Sequence, residues 1–209
     1  MRFTTAIPHP SFCFSDGTVV FEVENTLFKV HKFFFLRHSE FFRTLLGSRP
    51  AVAPPNIAHF KLNDVKKQDF ERLLYVFYPT SLTSPDLTTV NDWTSVLTLA
   101  HKWQIQELKL LAIQKLGPLA SPIDKIALAR NFNLASFQVN TVNVKQDWLL
   151  PAFTELCSKN SPLSLTQAEK LDMPTVVKIW EVQHEVMNWP GAYYGPQIMN
   201  LVKEKFDLE

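Results

Sequence analysis

The chain has 209 residues, of which 46% are apolar and 12% aromatic, enough for a buried core in each of two modest domains. Its formal net charge is only +1, and no run of lysine and arginine residues stands out. The charge therefore argues against nucleic acid or an anionic membrane as a binding partner.

The cysteines and the first residues of the chain bear on the cellular compartment. Cys13 and Cys157 are far apart and lack the spacing of a metal or redox site, which indicates reduced thiols. No stretch of about 18 apolar residues occurs, and prolines and threonines interrupt residues 1–15. We therefore expect no membrane span, no secretory leader, and a cytoplasmic or nuclear location.

The first predicted element is a β-hairpin over residues 18–30. Val19, Phe21 and Val23 occupy alternate positions, as the buried face of a strand requires. Asn25 follows at a point where a tight turn needs positive φ. Together these features predict two antiparallel strands joined by a short turn.

The residues after this turn resemble the opening of a BTB/POZ domain. Members of that family have a phenylalanine, a small or branched apolar residue, a histidine followed by a basic residue, and a Ser-x-x-Phe motif at fixed intervals. The matching positions are Phe28, Val30, His31, Lys32, Ser39 and Phe42. We expect His31 to be a partly buried imidazole that caps local backbone, and not a titrating or ligating group.

The elements up to residue 117 follow the order of the BTB fold. We predict a helix over 33–46, a turn-forming linker over 47–55 and a strand over 57–62. A helix capped by Asn63 and Asp64 and stopped by Pro79 comes next, and two further helices end at Gly117 and Pro118. Apolar residues at helical spacing define the buried faces of these helices: Phe70, Leu73, Leu74, Phe77, Trp93, Val96, Leu97, Ala100, Ile105, Leu108, Ala112 and Leu116.

The resemblance implies an α+β BTB/POZ fold, a short sheet capped by helices, over residues 12–117. The segment from Leu99 to Ile105 resembles the Leu-Ala-x-x-aromatic-x-aliphatic segment of the family. About half of the chain lies in this domain.

The other half is predicted to be an all-helical extension. Ser121 with Pro122, Thr166 with Glu169, and Pro174 mark helix starts, and the helix that Pro174 opens contains Val177, Trp180, His184 and Met187. This half resembles the C-terminal helical region of a large group of BTB proteins common in fungi, similar in placement to a BACK-type extension. We predict a BACK-like domain over 118–189, a loop insertion at 138–144, and a tail over 190–209 with a short helix.

A weak internal repeat connects the two halves. The segment from Leu97 to Ile105 recurs 29 residues later as Ile126 to Leu134, with matching small, apolar and aromatic positions. Two copies are too few for a solenoid. We interpret them as core positions of helix pairs stacked on one another.

The sequence contains no pattern typical of catalysis or cofactor binding. It has no Gly-x-Ser-x-Gly elbow, no glycine-rich phosphate loop and no His-Glu-x-x-His motif, and it has only five glycines. The six histidines are scattered, without an i, i+4 pair suited to a metal ion. We expect no catalytic residue, no cofactor and no metal, and we interpret Trp93 with Trp103, and Tyr193 with Tyr194, as packing residues.

The resemblance implies a protein–protein interaction module that homodimerises and, in many members, acts as the adaptor between a cullin scaffold and a ubiquitination substrate. A dimerising scaffold or transcription-associated factor without a ligase link is the alternative, and a small-molecule enzyme is a remote third. Members that bind a cullin commonly have an apolar-x-Glu motif before the third strand, yet no Asp or Glu occurs between Glu40 and Asp64. We predict weak or no cullin binding, and an unidentified protein as the partner.

The predicted dimer interface lies at the start of the first helix. At 100° per residue, six apolar residues between positions 34 and 46 fall within an arc of about 140°, whereas Phe33 and Leu36 fall outside it. The corresponding helix lies at the two-fold axis in BTB dimers. Phe33, Leu36 and the neighbouring Lys32 are therefore the candidate interface residues, although a helix break near Ser39 would reset the angles.

Two features predict that this dimer is modest. Thr18 stands where the family has an acidic partner for the basic residue after the histidine, so Lys32 lacks that partner. The segment before the hairpin is too short and too irregular to form the long N-terminal helix and exchanged strand of the tightest BTB dimers.

Overall fold

The computed structural model describes residues 6–47, 57–81, 83–139, 142–159, 161–188 and 195–208. The chain divides into two units, Met1–Ile113 and Gln114–Glu209, and the division falls within the helix Gln106–Leu119. A domain boundary at residue 117 stays a prediction.

A four-stranded mixed sheet lies at the centre of the first unit. Its strands are β1 (Ile7–Cys13), β2 (Val19–Val23), β3 (Thr26–Val30) and β4 (Ala58–Lys61), in the spatial order β1-β3-β2-β4. The predicted hairpin is confirmed: β2 and β3 are antiparallel, and Glu24 and Asn25 in the turn have φ of 44° and 62°, as a two-residue type I′ turn requires. Strands β1 and β4 run parallel to β3 and β2, respectively.

Five helices accompany this sheet: α1 (Lys32–His38), α2 (Glu40–Gly47), α3 (Lys67–Phe77), α4 (Val90–Lys102) and α5 (Gln106–Leu119). The segment 33–46, taken as one helix for the angular argument, is two helices with a break near Ser39, the alternative given above. Ser39 interrupts it with an extended backbone, φ −135° and ψ 120°. Its buried hydroxyl donates to the Trp103 carbonyl at 2.7 Å and accepts the Phe42 N–H at 3.2 Å, so it caps α2 as it ends α1.

The helix break changes which aromatic residues are buried. Phe35 and Phe42 are fully buried, whereas Phe41, which the single-helix arc placed in the core, is 41% exposed. Within the core, two pairs of aromatic rings meet edge-on. The ring centroids of Phe42 and Trp103 lie 5.0 Å apart, and those of Phe28 and Phe70 lie 4.9 Å apart. The interpretation of Trp93 and Trp103 as core residues is confirmed.

Two predicted helix boundaries in the first half need correction. The cap of α3 is Lys66, which lacks a side-chain capping bond, and not Asn63 or Asp64; Asp64 instead takes a left-handed φ of 58° in the preceding turn. Helix α5 continues through Pro118 to Leu119, and the next residue, Ala120, donates its N–H to Leu116. Pro118 therefore lies in the last turn of α5, and the helix does not end before the proline.

The second unit consists mainly of helices: α6 (Pro122–Asn131), α7 (Leu150–Cys157), α8 (Leu165–Ala168), α9 (Met173–Asn188) and α10 (Gly195–Phe206). Ser121 caps α6 as predicted, since its hydroxyl accepts the Asp124 N–H at 3.2 Å. The capping box of α8 is Ser164 with Gln167, two residues earlier than the predicted Thr166 and Glu169. The N-terminal serine has the extended backbone that a cap needs.

The segment predicted as a loop insertion at 138–144 contains a small β-hairpin. Its strands are β5 (Gln138–Val139) and β6 (Val142–Asn143), and the buried Val144 leads into a π-helical turn, Lys145–Leu149, continuous with α7. Residues 140 and 141, and Tyr193 and Tyr194 in the predicted tail, lie outside the described residues. Helix α10 packs within the second unit, where the Phe206 ring stacks on the Phe153 ring with 3.9 Å between their centroids.

The internal repeat corresponds to two helix ends with the same geometry. After α4, Gln104 has φ of 55° and the Ile105 N–H reaches back to the Ala100 carbonyl at 2.9 Å. After α6, Asn133 has φ of 49° and the Leu134 N–H donates to the Ala129 carbonyl at 2.7 Å. Both are Schellman caps, in which a left-handed residue turns the chain and an apolar residue covers the helix end.

Candidate protein-interaction face

The signature residues gather where β3 leads into α1 and α2. Phe28, Val30 and Phe42 are fully buried beneath this junction, and Ser39 fixes the angle between the two helices through its bonds to Trp103 and Phe42. These four residues therefore position the surface of α1 and do not themselves form that surface.

His31 is the N-cap residue of α1 and is partly buried, as expected, but the expected capping bond from its side chain is not made. Its Nδ1 lies 3.1 Å from the Tyr78 hydroxyl, which also accepts the His31 backbone N–H at 3.0 Å, and its Nε2 lies 3.2 Å from a carboxylate oxygen of Asp16. The imidazole thus joins the loop before β2 to the end of α3.

The pKa values of both partners of His31 are shifted, for different reasons. The hydrogen bond from His31 holds the pKa of the Asp16 carboxyl below its ordinary value. Burial raises the pKa of Tyr78, against the lowering effect of the His31 backbone N–H. Asp16 was missed as a site residue from the sequence, although it lies only two residues before Thr18, where the family has its acid.

Thr18 and Lys32 meet through the main chain. The Thr18 hydroxyl accepts the Lys32 backbone N–H at 2.9 Å. Within the described ranges, no carboxylate lies in ion-pair distance of the Lys32 ammonium group.

The three predicted interface residues lie together on α1. Phe33 is 57% exposed, Leu36 is partly exposed and Lys32 is exposed. They surround a shallow depression of about 480 Å³, whose lining residues are Thr18, His31, Lys32, Phe33, Leu36 and Arg37. We call this surface the α1 face. The Arg37 guanidinium lies 5.7 Å from the centre of the Phe33 ring, which holds the ring outward by a cation–π contact.

A comparison with known protein families agrees with this architecture. The family model for the BTB/POZ domain matches residues 11–117, slightly more than half of the chain. The chain belongs to the BTB/POZ family. No curated protein and no solved structure shows a significant match. The BTB domain is a protein–protein interaction module.

The loop in which members that bind a cullin have the apolar-x-Glu motif includes residues 48–56, which lie outside the described residues. The flanking elements are α2 and β4. No Asp or Glu occurs in the sequence between Glu40 and Asp64, and weak or no cullin binding stays a prediction.

A buried histidine near the start of the BTB domain was also missed. His9 in β1 is 6% exposed, and its Nδ1 accepts the backbone N–H groups of Ser11 and Phe12 at 3.1 and 3.0 Å. Its Nε2 lies 2.8 Å from the Glu71 carboxylate, and its ring stacks on Phe12 and Phe28. Because Nδ1 accepts two bonds, the proton lies on Nε2.

Other chemistry is sparse in the described part of the chain. No group of three His, Cys, Asp or Glu side chains there is arranged to hold a metal ion. Cys13 and Cys157 are free thiols, and burial raises the pKa of Cys157 to about 12. Among the described helices, none combines the length and apolar character needed to cross a membrane.

Proposed function

We propose that this chain is a homodimerising protein-interaction module whose two copies meet through the α1 face. The observation that supports the proposal is the exposure of the Phe33 side chain, which is 57%. Phe35, on the buried face of the same helix, is fully covered. Phe33 beside Leu36 forms an apolar patch at the edge of the BTB domain. Such patches on soluble proteins commonly mark interaction sites.

The expected affinity is moderate. Full burial of a Phe or Leu side chain contributes roughly 1.5–3 kcal/mol, and a two-fold axis counts Phe33 and Leu36 twice. Loss of translational and rotational freedom on association costs about 4–15 kcal/mol, and Leu36 is already partly covered in the monomer. We therefore expect a dimer at tens of micromolar protein, and not a nanomolar one.

The arrangement of β1 also favours a modest dimer. This strand pairs with β3 of its own chain, and the Ile7 N–H donates to the Asn25 carbonyl at 2.9 Å. Exchange of this strand with a second copy would first have to break that pairing. The α1 face then provides the association by itself.

Light scattering after size exclusion tests the proposal. We expect the wild type to be a dimer at about 50 µM, and the double variant Phe33→Asp with Leu36→Asp to be a monomer with unchanged circular dichroism. Trp180→Asp is the matched control, since Trp180 is 56% exposed but lies in the other unit. A wild-type monomer at this concentration, or a dimer that survives the double substitution, would refute the proposal.

Within this proposal, a role as a cullin adaptor is disfavoured. An interface without one anchoring residue loses affinity by about a hundredfold. Calorimetry of the recombinant protein with a cullin should therefore show no binding tighter than about 10 µM. A submicromolar dissociation constant would restore the adaptor role.

The form of the proposal that we favour is thus a dimerising scaffold in the cytoplasm or nucleus, without a ligase link. Two free cysteines, one of them exposed, suit a reducing compartment. Affinity purification from native cells, analysed for cullins and for chromatin proteins, distinguishes the adaptor, scaffold and transcription-associated alternatives.

A further inference from the structure

Helix α9 has an apolar stripe that the described residues of its own unit leave exposed. Met173, Val177, Trp180 and Met187 are 72%, 43%, 56% and 53% exposed. The buried residues of the same helix are Ile179, Val182 and Gln183, on the other side. The repeat of Val177, Trp180, His184 and Met187 seen in the sequence therefore faces solvent, where large apolar side chains are costly unless a partner covers them.

The spacing of the stripe is suited to another helix. Its members, including His184, follow one another at intervals of four, three, four and three residues. At 100° per residue they fall within an arc of about 80°. This is the alternation that places knobs of one helix into holes of a second helix, and α9 provides two heptads of it. The His184 ring stacks on Trp180 at 5.2 Å and keeps the centre of the stripe continuous.

A groove borders one side of the stripe. It has a volume of about 340 Å³ and lies between α9 and the segment that includes α8; its lining residues include Pro162, Leu163, Val177 and Trp180. An incoming helix can therefore bury apolar side chains both on the stripe and in the groove, as in helix-in-groove recognition.

The other side of the stripe is acidic. At 100° per residue, Glu181 and Glu185 lie next to the seam. Neither carboxylate has an ion-pair partner within the part of the chain that the structure describes. The nearby cation, Lys178, places its ammonium group 5.8 Å from the Phe206 ring, toward its own unit.

A second copy of this chain suits the surface less well. In a symmetric pair the same surface meets itself, so the two acidic flanks would approach one another without a compensating cation. A helix with lysine or arginine along its apolar face has the complementary charge. We propose that the α9 stripe binds an amphipathic helix of another protein, with basic residues beside its apolar side chains.

Fluorescence anisotropy with two designed peptides of about 18 residues tests this proposal. Both have leucines at alternating intervals of three and four; one has lysines at the flanking positions and the other has glutamates. Two exposed ion pairs predict that the lysine peptide binds the full-length protein about tenfold more tightly than the glutamate peptide. Val177→Asp with Trp180→Asp should reduce its binding at least tenfold.

Two further variants complete the experiment. Glu181→Lys with Glu185→Lys should reverse the peptide preference, and Met199→Asp, at a position 38% exposed on α10, should leave it unchanged. Absence of binding at about 100 µM peptide, or binding that survives the double aspartate substitution, would overturn the proposal. Conversion of a wild-type dimer to a monomer by Trp180→Asp would also overturn it, because a second copy would then cover the stripe.

Discussion

The clearest consequence for stability concerns His9→Ala. In the wild type, the His9 ring provides the acceptor for the Ser11 and Phe12 N–H groups and fills the space between Phe12 and Phe28. The substitution removes both functions at once. Strand β1 lies at the edge of the sheet, so we expect it to detach locally while the rest of the domain stays folded.

The magnitude follows from these contacts. The Phe12 N–H is left buried without an acceptor, at a cost of about 1–3 kcal/mol, whereas the exposed Ser11 N–H regains water. Loss of the stacked ring adds about 1–1.5 kcal/mol. Glu71 contributes little, because it is partly exposed and Lys67 remains 3.6 Å away. The sum is about 3 kcal/mol, or roughly a 150-fold increase in local opening.

Hydrogen exchange measures this opening directly. The Ile7 and Phe14 amides, which bond to β3 and its turn, should exchange about 100-fold faster in His9→Ala. His59→Ala, at an exposed histidine of β4, is the control and should change them by less than threefold. A change of less than threefold in His9→Ala would show that the ring does not hold β1.

Three further predictions concern helix ends and pH. Gln104→Gly should raise the free energy of unfolding in urea by about 0.5–1 kcal/mol, because glycine takes the left-handed φ without strain, and Asn133→Gly should raise it less, because asparagine tolerates that conformation. Ser39→Ala should lower it by about 2 kcal/mol, against about 1 kcal/mol for the exposed cap Ser121→Ala; equal effects would show that the Ser39 hydroxyl acts only as a cap. Burial raises the pKa of Asp92, but hydrogen bonds from Thr89 and Thr88 and the Arg72 charge outweigh it and hold the pKa below its ordinary value. Its carboxylate therefore stabilises the fold above about pH 4 and loses that effect as the pH falls, so Asp92→Asn should flatten the stability profile in that acidic range, which thermal melts at several pH values would measure.

Local patterns in the sequence predicted the hairpin and most helices well, because each depends on neighbouring residues. The positive φ at Asn25 and the cap at Ser121 are examples. The break at Ser39 required more, because it depends on the Trp103 carbonyl, which lies 64 residues away in the chain. Helical spacing within residues 33–46 contains no information about that long-range hydrogen bond.

The candidate site divides in the same way. Lys32, Phe33 and Leu36 are close in sequence, so helical spacing placed them together without knowledge of the fold. The partners of His31 are Asp16 and Tyr78, and only the tertiary structure brings them to it. His9 was missed because Pro8 and Pro10 on either side argue against a regular strand, and its acceptor role arises from the irregular pairing that those prolines produce.

The same irregular strand determines how the sheet ends. Of the five residues from Pro8 to Phe12, two are prolines without an N–H, and Ser11 and Phe12 give theirs to His9. Four of five positions therefore offer no donor to a chain that approaches this edge. An edge strand with open donors is a template for aggregation, and β1 withholds those donors through its own residues. At its N-terminal edge the BTB sheet therefore offers few backbone donors to an added strand.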